Sequence, residues 1–399
     1  MLAIVGGTYR EICHEPLWNE LYGSGLRAAV ALAALSDGLE YHTLVGPDEH
    51  AELAAKAAYA GATVHATAIA ATVRFVYNHP LATPNIYPSI EKMFTHKPQL
   101  KVAAENVLVY GILEGESQVH GTYVVYDPQS PNNPLPFAHT GSTAQHLAIV
   151  LNSWEGRQLT GFNDQEAIGQ QLLADGAAVV VIKQGSAGAS VFTTDGRSHV
   201  PAYQTKSVWP IGSGDIFSAV FAHYWAEQRQ NPVDAAAQAS LATAYYCQTQ
   251  ALPIPRDPAE IETLQLPALP ATAPVRKNIY LAGPFFTMAE RWLINESRFA
   301  LRQTGNTVFS PLHDVGHGLA TEVVHLDLQA LDNCDAVFAI VDGLDSGTLF
   351  EIGYARAKGK PVVAFVQNET PDNLKMLEGS ACIISPDFST AVYTLNWLP

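Results

Sequence analysis

Apolar residues along this chain come in short uninterrupted runs, each closed by turn residues. "LAIVGG" opens the chain, and "VLVYGIL", "TYVVYD" and "AAVVVIKQG" follow, with helical patterns after each. Runs of this length without polar alternation predict strands buried on both faces, as in a largely parallel sheet between helices. From residue 277 the same logic repeats on a smaller scale. "NIYLAGP", "TVFSP", "AVFAIVDG" and "PVVAFV" are strands with helices between them, which predicts a small doubly wound domain. Between the two patterns lies "ALPIPRDPAEIETLQLPALPATAPVRK", whose six prolines remove backbone donors and break helical periodicity. It predicts a semi-rigid linker with one short helical turn, dividing the chain into 1–252, a linker over 253–276, and 277–399.

The length, 399 residues, suits two domains of unequal size, and 48% hydrophobic residues allow a sizeable core. Lys and Arg number 22 against 38 Asp and Glu, a net charge of −16 with no basic stripe. Such a surface repels a nucleic-acid backbone, so small molecules are the expected partners. Cys13, Cys247, Cys334 and Cys382 are scattered without a CxxC spacing and read as reduced, mostly buried thiols. The opening "MLAIVGGTYR" lacks a basic region leading into a long apolar segment, and no apolar run reaches about 18 residues. A cytoplasmic protein with no membrane partner is the expectation.

One glutamate breaks the apolar pattern after "AVFAIVDG". Glu351 stands between Phe350 and Ile352 in "LFEIGYARAKG", a predicted helix that follows the loop "DGLDSGT" at a strand's carboxyl end. Open parallel sheets bind ligands there. Read as a first-turn residue, Glu351 would be favoured as a carboxylate by the helix dipole, and Gly347 would let a ligand approach the backbone. Asp327, Asp342 and Asp345 lie near it in sequence. Several acids at one strand end suit a metal site or glycosidic chemistry, and the absence of His or Cys ligand spacing makes metal the weaker choice. His313 and His317, in "HDVGHG", read as a polar loop.

Together "IYLAGPFF", "DLQALDNCDAVFAIVDG" and "DSGTLFEIGYARAKGKPV" resemble the nucleoside 2-deoxyribosyltransferases over nearly all of residues 277–399. The resemblance implies a Rossmann-like or flavodoxin-like domain that needs no cofactor. It makes Glu351 the nucleophile and places catalytic carboxylates at Asp345 and at Asp327, the latter opening the preceding helix. It puts Tyr280, Gly283, Pro284, Asp342, Ser346 and Gly347 around the substrate. A carboxylate can trap an oxocarbenium-like centre as a glycosyl-enzyme, while a second carboxyl group protonates the departing base. Related nucleotide N-hydrolases carry a serine where this chain has Asp345, which favours a free nucleoside over a monophosphate; the neighbouring Ser346 keeps the nucleotide alternative open.

A second punctuated stretch is "WPIGSGDIFSAVFAHYW". Its Gly-x-Gly turn running into a helix offers backbone N–H groups to an anion, and Asp215 projects into the same place. Asn152 and Glu155 form an N-x-x-E spacing, and "VVVIKQGSAGASVF" adds Lys183, Gly185 and Gly188. With "IVGGTYREI" and "YGSGLRAAVALAAL" ahead of them, these motifs resemble the ribokinase-like (PfkB) sugar and nucleoside kinases from residue 1 to about 252. ATP and Mg2+ are implied. So are Asp215 as the base for the acceptor hydroxyl, Gly212, Ser213 and Gly214 as a phosphoryl cradle, and Asn152 and Glu155 as organisers of Mg2+ through water. The sugar side departs from the family pattern. Glu11 stands where an aspartate meets sugar hydroxyls, Gly23 to Arg27 replace the glycine–asparagine run, and Arg27 is a candidate contact for an anionic substrate.

The expected protein is therefore a bifunctional enzyme of nucleoside metabolism. Its C-terminal domain cleaves or exchanges a base, and its N-terminal domain phosphorylates a sugar or nucleoside. The alternative is a kinase-like half that senses nucleotides and regulates the glycosidase. A nucleoside, nucleobase or sugar is the expected partner, and a homo-oligomer the expected assembly.

Overall fold

The computed structural model describes residues 1–89, 97–130, 132–270, 276–316 and 318–398. His317 lies outside them. Two compact units emerge, Met1–Thr205 with Trp209–Ala271, and Lys206–Val208 with Thr272–Pro399. The proline-rich stretch predicted as a linker belongs largely to the first unit. Ile254 and Ile261 are buried, the Ile254 N–H donates to Ala31 O, and a short helix spans Pro258–Glu262. Two well-spaced isoleucines are enough to dock a segment that its prolines keep extended.

The first unit is built on a nine-stranded sheet. Its spatial order is Gly196–Val200, Ala189–Thr193, Val179–Lys183, Thr143–Asn152, Glu116–Asp127, Gln99–Tyr110, Leu2–Val5, Leu39–Val45 and Ala62–Ala68. All neighbours are parallel except the two pairings that involve Ala189–Thr193. LAIV is buried at all four positions, as expected of a central parallel strand. Helices Gly23–Leu32 and Ser213–Ala222 cover one face, where Ile4, Leu26, Tyr41, Ile216 and Phe221 share a single core. A separate four-stranded sheet runs in the order Trp18–Leu21, Arg10–Cys13, Arg74–Tyr77 and Asn85–Tyr87.

The expectation of a helix after every strand fails in the middle of this sheet. Gln99–Tyr110 and Glu116–Asp127 pair in parallel with only Gly111–Gly115 between them, whereas a parallel crossover usually takes a dozen residues or more. The pairing skips Glu105 and Thr122, and the buried positions change parity there. Leu100 and Val102 share one apolar cluster with Val107 and Val109. Five residues cannot span the length of a straight twelve-residue strand, so the pair must bend along its length. Among the described residues no α-helix follows Glu116–Asp127 before the next strand either; the chain takes a proline-bearing loop with a short 3-10 turn at Phe137–Thr140.

The second unit is a five-stranded, all-parallel sheet in the order Thr307–Phe309, Asn278–Ala282, Ala336–Ile340, Val362–Phe365 and Ile383–Ser385. By chain position that is second, first, third, fourth, fifth, a doubly wound order whose switch point lies between the first and third strands. Helices Met288–Gln303, Ala320–Asn333, Ser346–Ala357, Pro371–Gly379 and Phe388–Trp397 alternate with the strands. Lys277, just before the first strand, is buried, and its Nζ donates to the carbonyls of Leu395, Asn396 and Leu398 at the end of the last helix.

Candidate functional sites

In the second unit the switch point gathers the predicted residues. Gly283 and Pro284 follow the first strand, and Asp342 to Gly347 follow the third. Tyr280 is fully buried, stacks on Phe309 at 5.5 Å, and donates its hydroxyl to Glu351 Oε1 at 2.6 Å. Burial pushes the Glu351 carboxyl up to about 7; the Tyr280 hydrogen bond opposes this, and the Asp327 and Asp345 carboxylates reinforce it. Burial and the adjoining Glu351 hold the Tyr280 hydroxyl protonated, well above its ordinary range. Asp327 is also raised by burial, and its Oδ1 finds no hydrogen-bond partner among the described residues.

Several sequence expectations are corrected here. The helix begins at Ser346, capped by Asp345, whose Oδ2 accepts from the Thr348 N–H and hydroxyl at 2.8 and 2.9 Å. Glu351 is therefore in the second turn, beyond the reach of the helix dipole, and burial rather than the dipole sets its charge. Asp327 sits in the middle of Ala320–Asn333 instead of opening a helix. Asp342 turns toward the next strand end, accepting from the N–H groups of Gln367 and Asn368. Phe350 is 60% exposed, so position 351 faces inward while its neighbour does not.

The first unit brings its candidates together around the start of Ser213–Ala222. Gly212 caps this helix with φ +79, a conformation glycine adopts without strain. Asp215 is 9% exposed, and both of its carboxylate oxygens are occupied. Oδ2 accepts from Arg27 at 2.8 Å and Oδ1 from the Gln129 amide at 2.6 Å. Arg27 also pairs with both oxygens of Glu11, whose Oε1 takes the Gly23 N–H at 3.2 Å. Burial would discharge an isolated guanidinium, but the Glu11, Tyr246 and Asp215 side chains hold Arg27 charged. Glu11 and Arg27, predicted to meet an acceptor, are thus engaged with each other.

Beside them three adjacent strands end in polar residues, Asp127, Asn152 and Lys183. Lys183 Nζ donates to Asp127 Oδ2 at 2.7 Å, and the Ser218 hydroxyl does so at 2.6 Å. Asp127 is fully buried and raised by that burial, and its Oδ1 has no partner among the described residues. Burial, with the Asp127 charge behind it, pushes Glu155 up to about 7. Asn152 and Glu155 form a reciprocal capping box: Asn152 Oδ1 accepts from the Trp154 and Glu155 N–H groups, and Glu155 Oε2 accepts from the Asn152 N–H. Gly185 and Gly188 bracket a tight turn, both at positive φ.

Sequence reasoning missed Asp127, Gln129 and Tyr110, whose hydroxyl donates to the Asp215 carbonyl at 2.8 Å. A strand closing on Asp-Pro was the available signal for the first. Gln129 also lines a cavity of about 440 Å³ with Lys97, Ser130, Asn133 and His139. Glu40, His42 and His65, on neighbouring strands, place one donor atom each within 4.8 Å of one another; only the strand register reveals that grouping.

Comparison with known proteins agrees with this division. The pfkB family carbohydrate kinases match residues 117–256, and the nucleoside 2-deoxyribosyltransferases match residues 279–381. Deoxyribokinase of Salmonella typhi is 29% identical over 134 residues, 32% of this chain and 42% of that protein, and the Salmonella typhimurium protein gives the same figures. The chain thus spans less than half the length of the curated relatives it matches. A fructokinase from Vibrio cholerae O395, in a form with fructose, ADP and calcium bound, is 17% identical and superposes with a TM-score of 0.50 over 66% of this chain and 98% of its own. That likeness establishes the ribokinase-like fold of the first unit. The chain resembles a fusion of a PfkB-type kinase domain with a nucleoside 2-deoxyribosyltransferase-like domain. Among the described residues no helix is long and apolar enough to cross a membrane.

Proposed function

We propose that the second unit cleaves or exchanges the N-glycosidic bond of a nucleoside, with Glu351 as nucleophile. The observation that carries this reading is the Tyr280–Glu351 hydrogen bond at a doubly wound switch point, with Asp327 Oδ1 lacking a partner among the described residues. The Tyr280 hydroxyl fixes one carboxylate oxygen and leaves the other free to attack the anomeric carbon. As the C–O bond to Glu351 forms, the C–N bond breaks and its electron pair leaves with the base. Asp327, whose carboxyl pKa burial raises above its ordinary range, supplies the proton that the base requires. Water or a second base then releases the sugar.

The first unit, in this reading, phosphorylates a sugar or nucleoside hydroxyl with ATP, and Asp215 takes the hydroxyl proton. Bound Mg2+ would neutralise phosphate charge. The residues fit such a group: an αL glycine opens the helix N-terminus, and a buried carboxylate oxygen of Asp127 lacks a partner among the described residues. Asn152 and Glu155 would organise the ion's waters, held in place by their capping box. Lys183, Gly185 and Gly188 would line the nucleotide. Exposed Phe286 and Met288 support a homo-oligomer, and a monomer in light scattering would contradict it.

One observation favours a second reading, in which this unit senses nucleotides without transferring phosphate: both Asp215 carboxylate oxygens are already hydrogen-bonded. Chromatography of a nucleoside and deoxynucleoside panel, with wild type and Glu351→Ala, each with and without ATP-Mg, separates these cases. Base release by wild type alone supports the nucleophile, and a phosphorylated product that needs ATP supports the coupled enzyme. Nucleosides left unchanged by wild type overturn glycosidic chemistry on free nucleosides.

A further inference from the structure

Arg27 is wholly buried, yet its Nε–H has no hydrogen-bond partner among the described residues. Its other donors are committed, Nη1 to Glu11 and Asp215, Nη2 to Glu11. An unmade hydrogen bond on a buried group costs on the order of 1–3 kcal/mol, and more on a charged one. That cost points to an acceptor that arrives with a ligand.

The edge of the guanidinium that carries Nε lies against Gly212. A β-carbon built at Gly212 would come within 2.2 Å of Nε, so only glycine leaves room there. Gly212 is the cap of the ten-residue helix Ser213–Ala222, whose first N–H groups lack intrahelical acceptors and favour an anion. On the other side of the cradle, Lys183 Nζ lies 3.5 Å from the β-carbon position of Gly214. Two cations therefore lie at one helix start, each paired with carboxylates, Arg27 with Glu11 and Asp215, Lys183 with Asp127.

We propose that Arg27 is a phosphoryl-binding residue, its Nε–H donating to the terminal phosphoryl group of a nucleoside triphosphate seated at the start of Ser213–Ala222. The proposal rests on the reading that this unit binds nucleotides and holds for either of its variants. It moves Arg27 from the acceptor to the donor side. In a transfer, the acceptor oxygen bonds to the terminal phosphorus as the bridging P–O bond breaks. The diphosphate leaves with that electron pair, and the acceptor proton passes to Asp215. Arg27 neither gains nor loses a proton; it spreads positive charge over the phosphoryl oxygens while Nη1 holds Asp215 Oδ2 in place.

Calorimetry of the full chain with ADP and with the non-hydrolysable analogue AMP-PNP, both with Mg2+, tests this. Arg27→Lys keeps a cation beside Glu11 but loses the planar fork. It is expected to weaken AMP-PNP binding 10- to 100-fold while changing ADP binding less than about twofold. Because Arg27→Lys leaves carboxylates imperfectly paired, the charge-balanced Glu11→Gln/Arg27→Gln variant is measured beside it and should show the same selective loss. A merely structural Arg27 would weaken both ligands equally or neither, and either result overturns the proposal. Wild type that binds neither ligand overturns it together with the nucleotide reading. Wild type that binds both but phosphorylates nothing removes the transfer reading alone, and the selective loss of AMP-PNP binding still decides the role of Arg27.

Discussion

Both units place an acid on a helix reached from a strand's carboxyl end, Glu351 after a parallel strand and Asp215 after the loop that leaves the antiparallel edge strand Gly196–Val200, but they surround it in opposite ways. Glu351 meets a neutral phenol and two other carboxyl groups; Asp215 meets a guanidinium and an amide. Burial without a cation leaves Glu351 able to hold or release a proton near neutrality. Burial with one leaves Asp215 tied into a network. Topology therefore supplies the place for a carboxylate, and the first partner decides what it can do.

The comparison breaks most sharply if either acid is dispensable. Glu351→Ala is expected to lower base release by at least about 10³-fold, and Asp215→Asn to lower ATP-dependent phosphorylation by about 10²- to 10⁴-fold, both read by chromatography. Retained base release in Glu351→Ala would remove the nucleophile assignment.

A smaller effect tests the phenol. Tyr280→Phe removes the hydrogen bond that opposes the rise of the Glu351 pKa, so the acid limb of the kcat/KM profile should move upward in pH. A loss of about 10- to 100-fold at pH 6 should shrink at pH 8; a uniform loss across pH would make Tyr280 a packing residue.

The smallest effect is on stability. The Glu351 carboxyl rises from 4.5 in an unfolded chain to about 7 in the folded one. Between those values the folded state holds a proton that the unfolded state releases. Its contribution is therefore full below about pH 4.5 and lost as pH rises through about 7. Glu351→Gln does not titrate, so it should melt higher than wild type at pH 8, by the equivalent of about 1–3 kcal/mol. The gap should close below pH 5 in a calorimetric series. An equal gap at both pH values would mean that Glu351 is not charged at a cost.

Much of this was legible in the sequence because it is local. The strand runs, the glycine turn before Asp215 and the placement of Glu351 after a strand-end loop follow from neighbouring residues. Helix starts were less legible: Asp345 rather than the apolar "LF" marks the beginning, since a cap that accepts from Thr348 outweighs the later apolar pattern. The Arg27–Asp215 pair spans 188 positions and the Gln129–Asp215 bond spans 86. No periodicity encodes such contacts. The bent strands around Glu105 were hidden for a related reason, because a parity change within one apolar run looks like noise until the partner strand shows the same change.

Lys277 closes the second unit like a clasp. Its ammonium gathers three carbonyls from the end of the last helix, so the residue just before the first strand and those that close the last helix are neighbours in space. The unit is thus a ring in all but one bond. A short peptide could join its ends while new termini are opened at an exposed loop, and the rearranged order of segments should still fold to the same sheet.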